Sequence, residues 1–258
     1  MEKTLKLLVV LLDGLGPEFI NLPFLKTLDP KPLETYSFTY PSAYSVLTGL
    51  KPKIEDFWKN GKLTRKVFSW RDFKVRFLWD KLGCRQLYLN VPFTYPPKKI
   101  NGVMVSYGLY GLHVYPKYYK RFLRRIGYIA DVDVDDPDFY SRCFEAVEKR
   151  TYITFKLGRK MEFIYVAYTS SDRVLHVRLM LGEKRVREFM EYLDYKVEEL
   201  FKALKPKHYI VYSDHGFTKD GYHGPEHPET KTGIIATDLG EVKHIDEIHG
   251  LIIKNVGV

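Results

Sequence analysis

Three carboxylates, Asp13, Asp172 and Asp214, each sit just past a short apolar run, and three histidines, His176, His215 and His223, stand beside or soon after them. Carboxylate oxygen and imidazole nitrogen are the mixed donor set that zinc or manganese takes, and the donors suffice for two divalent ions. Asp172 and His176 lie four residues apart in Ser170-Ser171-Asp172-Arg173-Val174-Leu175-His176, so a helical segment would place them on one face. Asp214 and His215 are adjacent in Ser213-Asp214-His215-Gly216, and His223 follows in Gly221-Tyr222-His223-Gly224. Taken singly, each has an ordinary explanation: a strand-end aspartate caps a turn, and a lone histidine is structural. Their joint placement at strand ends carries the argument, because ligands of open α/β sheets bind at the carboxyl edge.

A nucleophile candidate lies in Phe38-Thr39-Tyr40-Pro41-Ser42-Ala43-Tyr44-Ser45-Val46-Leu47-Thr48-Gly49. Thr39 precedes a proline-started helical segment, where backbone N–H groups and the helix dipole favour a phosphate. Metal coordination would lower the hydroxyl's pKa and turn it into a nucleophile at neutral pH. Out of context Thr39 reads as a helix N-cap, Ser42 is an alternative nucleophile, and Thr48 closes the helix.

The elements that must position these residues are legible as apolar runs alternating with helical patterns, the arrangement of an α/β sheet with helices on both faces. Strands are predicted at 5–12, 86–91, 103–106, 163–168, 209–212 and 233–236. The clearest helix covers 183–204, where Val186, Phe189, Met190, Leu193, Val197, Leu200, Phe201 and Leu204 recur at three- and four-residue intervals before Pro206. A second is predicted from Asp136-Pro137 towards Leu157, with Gly158 as its stop. The acidic series Asp131, Asp133, Asp135, Asp136 and Asp138 does not form a calcium loop, since the turn glycine at the sixth position is replaced by Asp136. A solvated strand edge and helix cap accounts for it better. Prolines and glycines between Pro92 and Gly111 suggest an ordered excursion from the sheet rather than a linker, and no repeat or domain cut is evident. Residues 1–258 read as one α/β metallohydrolase domain.

Bulk properties narrow the class. The chain has 258 residues with 45% hydrophobic content, enough for one substantial core. No apolar run reaches the roughly 18–20 residues of a membrane-spanning helix. The opening run, flanked by Lys3 and Lys6, ends in Asp13-Gly14 instead of a small-residue cleavage site, which marks a buried strand and not a signal peptide. Cys84 and Cys143 have no metal-type spacing and suit a reducing cytoplasm. A single glutamine beside abundant Lys, Arg and Glu fits a heat-adapted protein, a thermophile. The formal charge of +9 suits an anionic substrate; it also admits a rival, a nucleic-acid-binding module resting on Lys117-Tyr118-Tyr119-Lys120-Arg121 and Arg124-Arg125. Phe122, Leu123 and Ile126 at helical spacing favour an amphipathic surface helix with a solvated basic face, so nucleic acid is not the expected partner.

Taken together, Leu12-Asp13-Gly14, the Thr39-Tyr-Pro…Thr48-Gly49 segment, Asp172-Arg173…His176, and Ser213-Asp214-His215-Gly216 with Gly221-Tyr-His223-Gly224 resemble the alkaline phosphatase superfamily in order and spacing. Trp79-Asp80-Lys81-Leu82 and Asn90-Val91-Pro92-Phe93-Thr94-Tyr95-Pro96-Pro97 make the chain similar to its type I phosphodiesterase and nucleotide pyrophosphatase branch, particularly the small archaeal and bacterial members. The resemblance covers nearly the whole chain. It implies a three-layer α/β/α sandwich with a mostly parallel central sheet. It further implies one metal at Asp172, His176 and His223, and a second at Asp13, Asp214, His215 and the Thr39 oxygen, with zinc expected and manganese an alternative. His227 competes with His223 for the last ligand position. Hydrolysis of a phosphodiester or pyrophosphate bond in a small phosphate ester such as a nucleotide would run through a covalent Thr39 intermediate. A phosphomonoesterase or phosphomutase-like enzyme is the close alternative. The chain departs from the pattern at Ser42, where many nucleotide pyrophosphatases carry an Asn that contacts the phosphate. Thr39 cannot become the formylglycine of sulfatases. No long insertion defines the leaving group.

Overall fold

The computed structural model describes residues 4–65, 68–106 and 112–257. The apolar run before Asp13 forms strand β1 (Leu7–Leu12), buried throughout. Leu8, Val10 and Leu12 enter one core and Leu7, Val9 and Leu11 the other. That alternation is what a strand covered on both faces must show. There follow α1 (Pro23–Thr27), β2 (Lys31–Glu34), α2 (Thr39–Thr48), the hairpin β3 (Trp58–Lys59) and β4 (Lys62–Leu63), α3 (Leu78–Lys81), β5 (Gln86–Leu89), β6 (Gly102–Val105) and β7 (Val114–Tyr115). The chain continues through α4 (Tyr119–Arg125), α5 (Phe139–Gly158), β8 (Phe163–Tyr168), α6 (Ser170–His176), α7 (Arg178–Leu181), α8 (Glu183–Leu204), β9 (His208–Tyr212), β10 (Thr232–Thr237) and α9 (Glu247–Val256).

Among the described residues, eight strands form one sheet in the order β2-β10-β9-β1-β8-β5-β6-β7. The five central strands, β9, β1, β8, β5 and β6, are parallel, while β10 and β7 run antiparallel to their neighbours. One core is closed by α5 and α8 through residues such as Val147, Ile153, Phe189 and Leu193. The other is closed by α2, α3 and α9 through Val46, Leu47, Leu78, Ile248 and Ile252. The architecture is therefore a three-layer α/β/α arrangement around a mostly parallel sheet. Among the described residues no helix is long and apolar enough to cross a membrane.

Strand β8 and helix α8 coincide with the sequence expectation, and the other strands agree to within two residues. β5 stops at Leu89 because Asn90 takes a left-handed φ of 60° that ends the ladder. Helix α5 begins at Phe139, two residues later than a cap at Asp136 with Pro137 as first helical residue suggests. Asp136 is not its cap: it accepts from the Asp138 N–H at 2.9 Å and from Arg142 at 2.7 Å, and holds a turn ahead of the helix. Gly158 is the helix's last residue and not a stop beyond it. Among the described residues no strand runs alongside the acidic series; Asp131 receives a two-pronged contact from Arg173 at 3.2 and 2.8 Å instead. The basic segment does form an amphipathic helix, α4, with Leu123 buried and Tyr118 exposed. Lys3 and Gly111 of the sequence reading lie outside the described residues.

Candidate metal centre

Three adjacent strands deliver the donors. Asp13 follows β1, and its N–H donates to the Tyr168 carbonyl at the end of β8, 3.2 Å away. That bond sets the ends of β1 and β8 level. Asp172 and His176 lie on α6, which starts directly after β8, and their i,i+4 spacing brings His176 Nε2 to 3.6 Å from Asp172 Oδ1. Asp214 and His215 follow β9. Gly14 supplies the sharp turn behind Asp13 with a φ of 79°, a conformation open chiefly to glycine, and its N–H donates to Asp214 Oδ1 at 3.3 Å. The loop after β9 then returns His223 to the cluster, 3.1 Å from His176 Nε2 and 3.5 Å from Asp172 Oδ1.

The fourth contributor is α2. Thr39 is the first residue of this helix and Phe38 occupies the N-cap position, so Thr39 is not the cap that the sequence suggests. Its Oγ1 lies 3.3 Å from Asp13 Oδ1 and 3.3 Å from His215 Nε2. Ser42 is fully buried, donates to the Asp214 carbonyl at 2.8 Å and accepts the Tyr36 N–H at 3.3 Å. Its hydroxyl is thus occupied by the scaffold. Gly49 closes the helix in the left-handed region, with Thr48 bonded back to the Tyr44 carbonyl at 2.7 Å.

Electrostatics make this arrangement costly without a cation. Burial, then the charges of Asp214 and Asp172, hold Asp13 well above the usual carboxylate range. Burial pushes Asp214 up to about 7, with Asp172 adding repulsion against the Gly14 N–H. Burial and the neighbouring His215 drive His223 down to about 3, so it is neutral. Burial works to lower His215 too, but its contact with Asp13 and the charges of Asp13 and Asp172 raise it. Asp172 feels the same burial, yet His176, His223 and Arg173 overcome it and keep its pKa low. Asp172 Oδ1 and Asp214 Oδ2 are buried without a hydrogen-bond partner. Oxygens in that state are free to serve a bound cation.

The spacing of the donors fits metal ions. Ligand atoms about 2.0–2.1 Å from a tetrahedral ion stand ~3.3 Å from one another. Asp172 Oδ1, His176 Nε2 and His223 Nε2 form a triangle with sides of 3.1, 3.5 and 3.6 Å. Asp13 Oδ1, His215 Nε2 and Thr39 Oγ1 form another, with sides of 3.3, 3.3 and 3.4 Å. Asp172 Oδ1 is also 3.8 Å from His215 Nε2, and Asp214 Oδ1 is 4.0 Å from it, so both carboxylates border the second group. His215 and His223 each direct Nδ1 at a backbone carbonyl, Gly216 at 3.0 Å and Ser37 at 3.3 Å. Such contacts place the proton on Nδ1 and leave Nε2 as the donor atom facing the cluster.

His227 stays apart, paired with Glu229 at 3.5 Å and stacked on Tyr222. Sequence reasoning gave no role at the centre to several residues that support it, although Ser171 and Arg173 stand inside the quoted motifs. Ser171 Oγ donates to the Asp13 carbonyl at 2.7 Å, Arg173 approaches Asp172 to 3.7 Å from the Asp131 side, and Phe217 packs on the histidines. Their sequence signal is position alone: Ser171 and Arg173 flank Asp172, and Phe217 follows Gly216.

Known proteins with this architecture include lipoteichoic acid synthase LtaP from Listeria monocytogenes (TM-score 0.58, 13% identity), which aligns over 100% of this chain and 72% of its own. Alkaline phosphatase from the Antarctic bacterium TAB5 aligns over 98% of this chain and 99% of its own, with a TM-score of 0.55 at 11% identity. Phosphonoacetate hydrolase from Sinorhizobium meliloti 1021, in complex with phosphonoformate, has a TM-score of 0.51 at 18% identity; the alignment covers 84% of this chain and 58% of the hydrolase. At these identities the likeness is one of fold. No curated protein sequence matches the chain. A model of one family, however, matches residues 7–230, from the first strand to the segment that precedes β10. On that match, and with donors converging at the ends of three of its strands, the chain belongs to the type I phosphodiesterase / nucleotide pyrophosphatase family of phosphoester hydrolases.

Proposed function

We propose that the chain hydrolyses phosphodiester or pyrophosphate bonds at a two-metal centre with Thr39 as nucleophile. The observation that carries this reading is the Thr39 hydroxyl at one corner of a donor triangle, 3.3 Å from both Asp13 and His215. Asp172, His176 and His223 would hold one ion; Asp13, Asp214, His215 and the Thr39 oxygen would hold the other. The three-nitrogen, three-carboxylate set suits zinc, with manganese second. A variant of the Antarctic phosphatase carries bound Mg, which fits divalent-metal use on this fold. When bound, the ions supply positive charge against the developing negative charge and lower the pKa of the attacking oxygen.

The chain's own residues account for the rest. The Thr39 hydroxyl donates to Asp13 Oδ1, which marks the direction its proton leaves as the oxygen attacks phosphorus. A Thr39–phosphorus bond forms while the bond to the leaving oxygen breaks. The leaving oxygen departs with the bonding pair and takes up a proton; water then attacks the phosphoryl- or nucleotidyl-threonine, and the Thr39 oxygen leaves and is reprotonated. The N-terminus of α2 has no side-chain cap bond, so backbone N–H groups of its first turn are placed to receive a non-bridging oxygen. They substitute for the Asn that this family often carries, because the Ser42 hydroxyl is committed to the Asp214 carbonyl. A small phosphate ester such as a nucleotide is the substrate class. The phosphonate held by the Sinorhizobium hydrolase is the same kind of tetrahedral anion. We further read residues 1–258 as one metallohydrolase domain working in a reducing cytoplasm.

A panel of chromogenic phosphodiester, phosphomonoester and sulfate substrates, assayed with added Zn2+ or Mn2+, tests the proposal. Metal-dependent diester turnover is expected. Folded protein without turnover of any phosphate ester would remove the proposal, and a strong monoester preference would shift it to a phosphomonoesterase or phosphomutase-like enzyme.

A further inference from the structure

Among the described residues, Phe217 is the phenyl ring that packs on all three histidines of the centre. Its ring centroid lies 5.0 Å from His176 at an interplanar angle of 88°, 4.8 Å from His223 at 72°, and 5.4 Å from His215 at 51°. The backbone opposite is shaped to the same ring. A Cβ on Gly14 would come within 2.5 Å of Phe217 Cε2, so the turn behind Asp13 leaves that space to the phenyl edge.

The three imidazoles differ in what else orients them. His215 and His223 are fixed from behind by the Gly216 and Ser37 carbonyls. Among the described residues no hydrogen bond reaches Nδ1 of His176; its polar contacts all run through Nε2, to His223 at 3.1 Å and to Asp172 at 3.6 Å. A metal-ligating histidine ordinarily has its second nitrogen held by a carbonyl or carboxylate, which fixes the ring plane. For His176 that support is missing, and the near-perpendicular phenyl ring stands against the imidazole in its place.

We infer that Phe217 is a positioning residue of the centre, setting the ring plane of His176 and thereby the Asp172–His176–His223 group, while the Asp13–His215–Thr39 group depends on it much less. The inference rests on the two-metal reading above. It assigns a hydrophobic residue just past the Ser213-Asp214-His215-Gly216 motif to the loading of one ion and not the other.

Co2+ titration of the full chain, followed by its visible absorption and by metal content, tests this. Wild type is expected to take two ions. Phe217→Leu, close in volume but without a ring, should keep the first binding step and weaken the second by about 10- to 100-fold, the usual effect of losing an orienting partner. Phe217→Met, which keeps a long apolar side chain, should do the same if the leucine variant folds poorly. The absorption of the remaining Co2+ should match that of one wild-type site. Two ions bound with unchanged affinity and spectrum in either folded variant would overturn the inference. Equal weakening of both steps would overturn it too, since that is what general loosening of the loop produces. A wild-type chain that takes up no Co2+ would instead remove the two-metal reading, so the two failures are distinguishable in one experiment.

Discussion

On the proposed mechanism the chemistry falls to Thr39 and its neighbours, and the sharpest expectation attaches to a single oxygen atom. In Thr39→Ala the carboxylates and histidines remain, so metal content should stay at the wild-type level while turnover falls by roughly 10^3-fold or more. Intact-mass analysis of quenched reactions should show a phosphoryl or nucleotidyl adduct in wild type and none in the variant. Near-normal turnover by Thr39→Ala would rule this nucleophile out. A second expectation concerns pH. Metal binding requires unprotonated ligands, and Asp214, pushed up to about 7, is partly protonated near neutrality in the metal-free centre, while the contact with Asp13 outweighs burial and shifts His215 towards its protonated form. Those protons must leave when metal enters. Affinity should therefore fall as pH drops below 7, by up to about tenfold per unit for each proton displaced. Calorimetry in buffers of differing ionisation enthalpy would detect the release, and pH-independent affinity between pH 5.5 and 7.5 would contradict it.

At the scale of elements, the centre depends on strand ends held level and on helices seated against the sheet. Helix α8 contributes to this by capping another helix. Asp194, buried on α8, accepts the N–H groups of Phe24 and Leu25 at 2.7 and 2.9 Å, at the start of α1. Asp194→Ala leaves both donors without a partner and should cost about 1–2 kcal/mol in denaturant unfolding, while Asp194→Asn should recover part of it. An unchanged unfolding midpoint in the alanine variant would show that α1 finds other partners. Helix α4 is the contrasting case. Its exposed Arg121, Arg124 and Arg125 form no ion pair among the described residues, which fits a solvated basic face.

Across the whole molecule, the ions and the fold are expected to be coupled. Three buried carboxylates share one sheet edge, two of them with an orphaned oxygen, so the metal-free chain must either bury their charge or hold protons on them, a cost that a cation would relieve. An ion held at a thousand times its dissociation constant adds about 4 kcal/mol to the native state. Stripping the protein with a chelator should thus lower its melting temperature by several degrees, with recovery on readdition of Zn2+. A melting temperature indifferent to chelation, in protein shown to contain metal beforehand, would argue that the centre forms without regard to the ions.

The sequence by itself determined the order and type of the donors, the strands they follow and the class of the fold. Local patterns report local facts: an unbroken apolar run means a strand buried on both faces, as in β1 and β8, and three- and four-residue periodicity means a one-sided helix, as in α8. The same patterns are silent where an element is short or half-exposed, which is why β2, β7 and the β3–β4 hairpin carried no signal. The start of α5 moved because Asp136 found a turn and an arginine in place of a helix to cap. Only the tertiary structure decided which side chains meet. His223 and His227 are alike in sequence, yet the loop after β9 brings the first to Asp172 and leaves the second against Tyr222. Ser42 and Thr39 are both hydroxyls at one helix start, but one faces the Asp214 backbone and the other the donor cluster. Such choices depend on closing chain segments far apart in sequence onto one point. That is a property of packing, which no local pattern encodes.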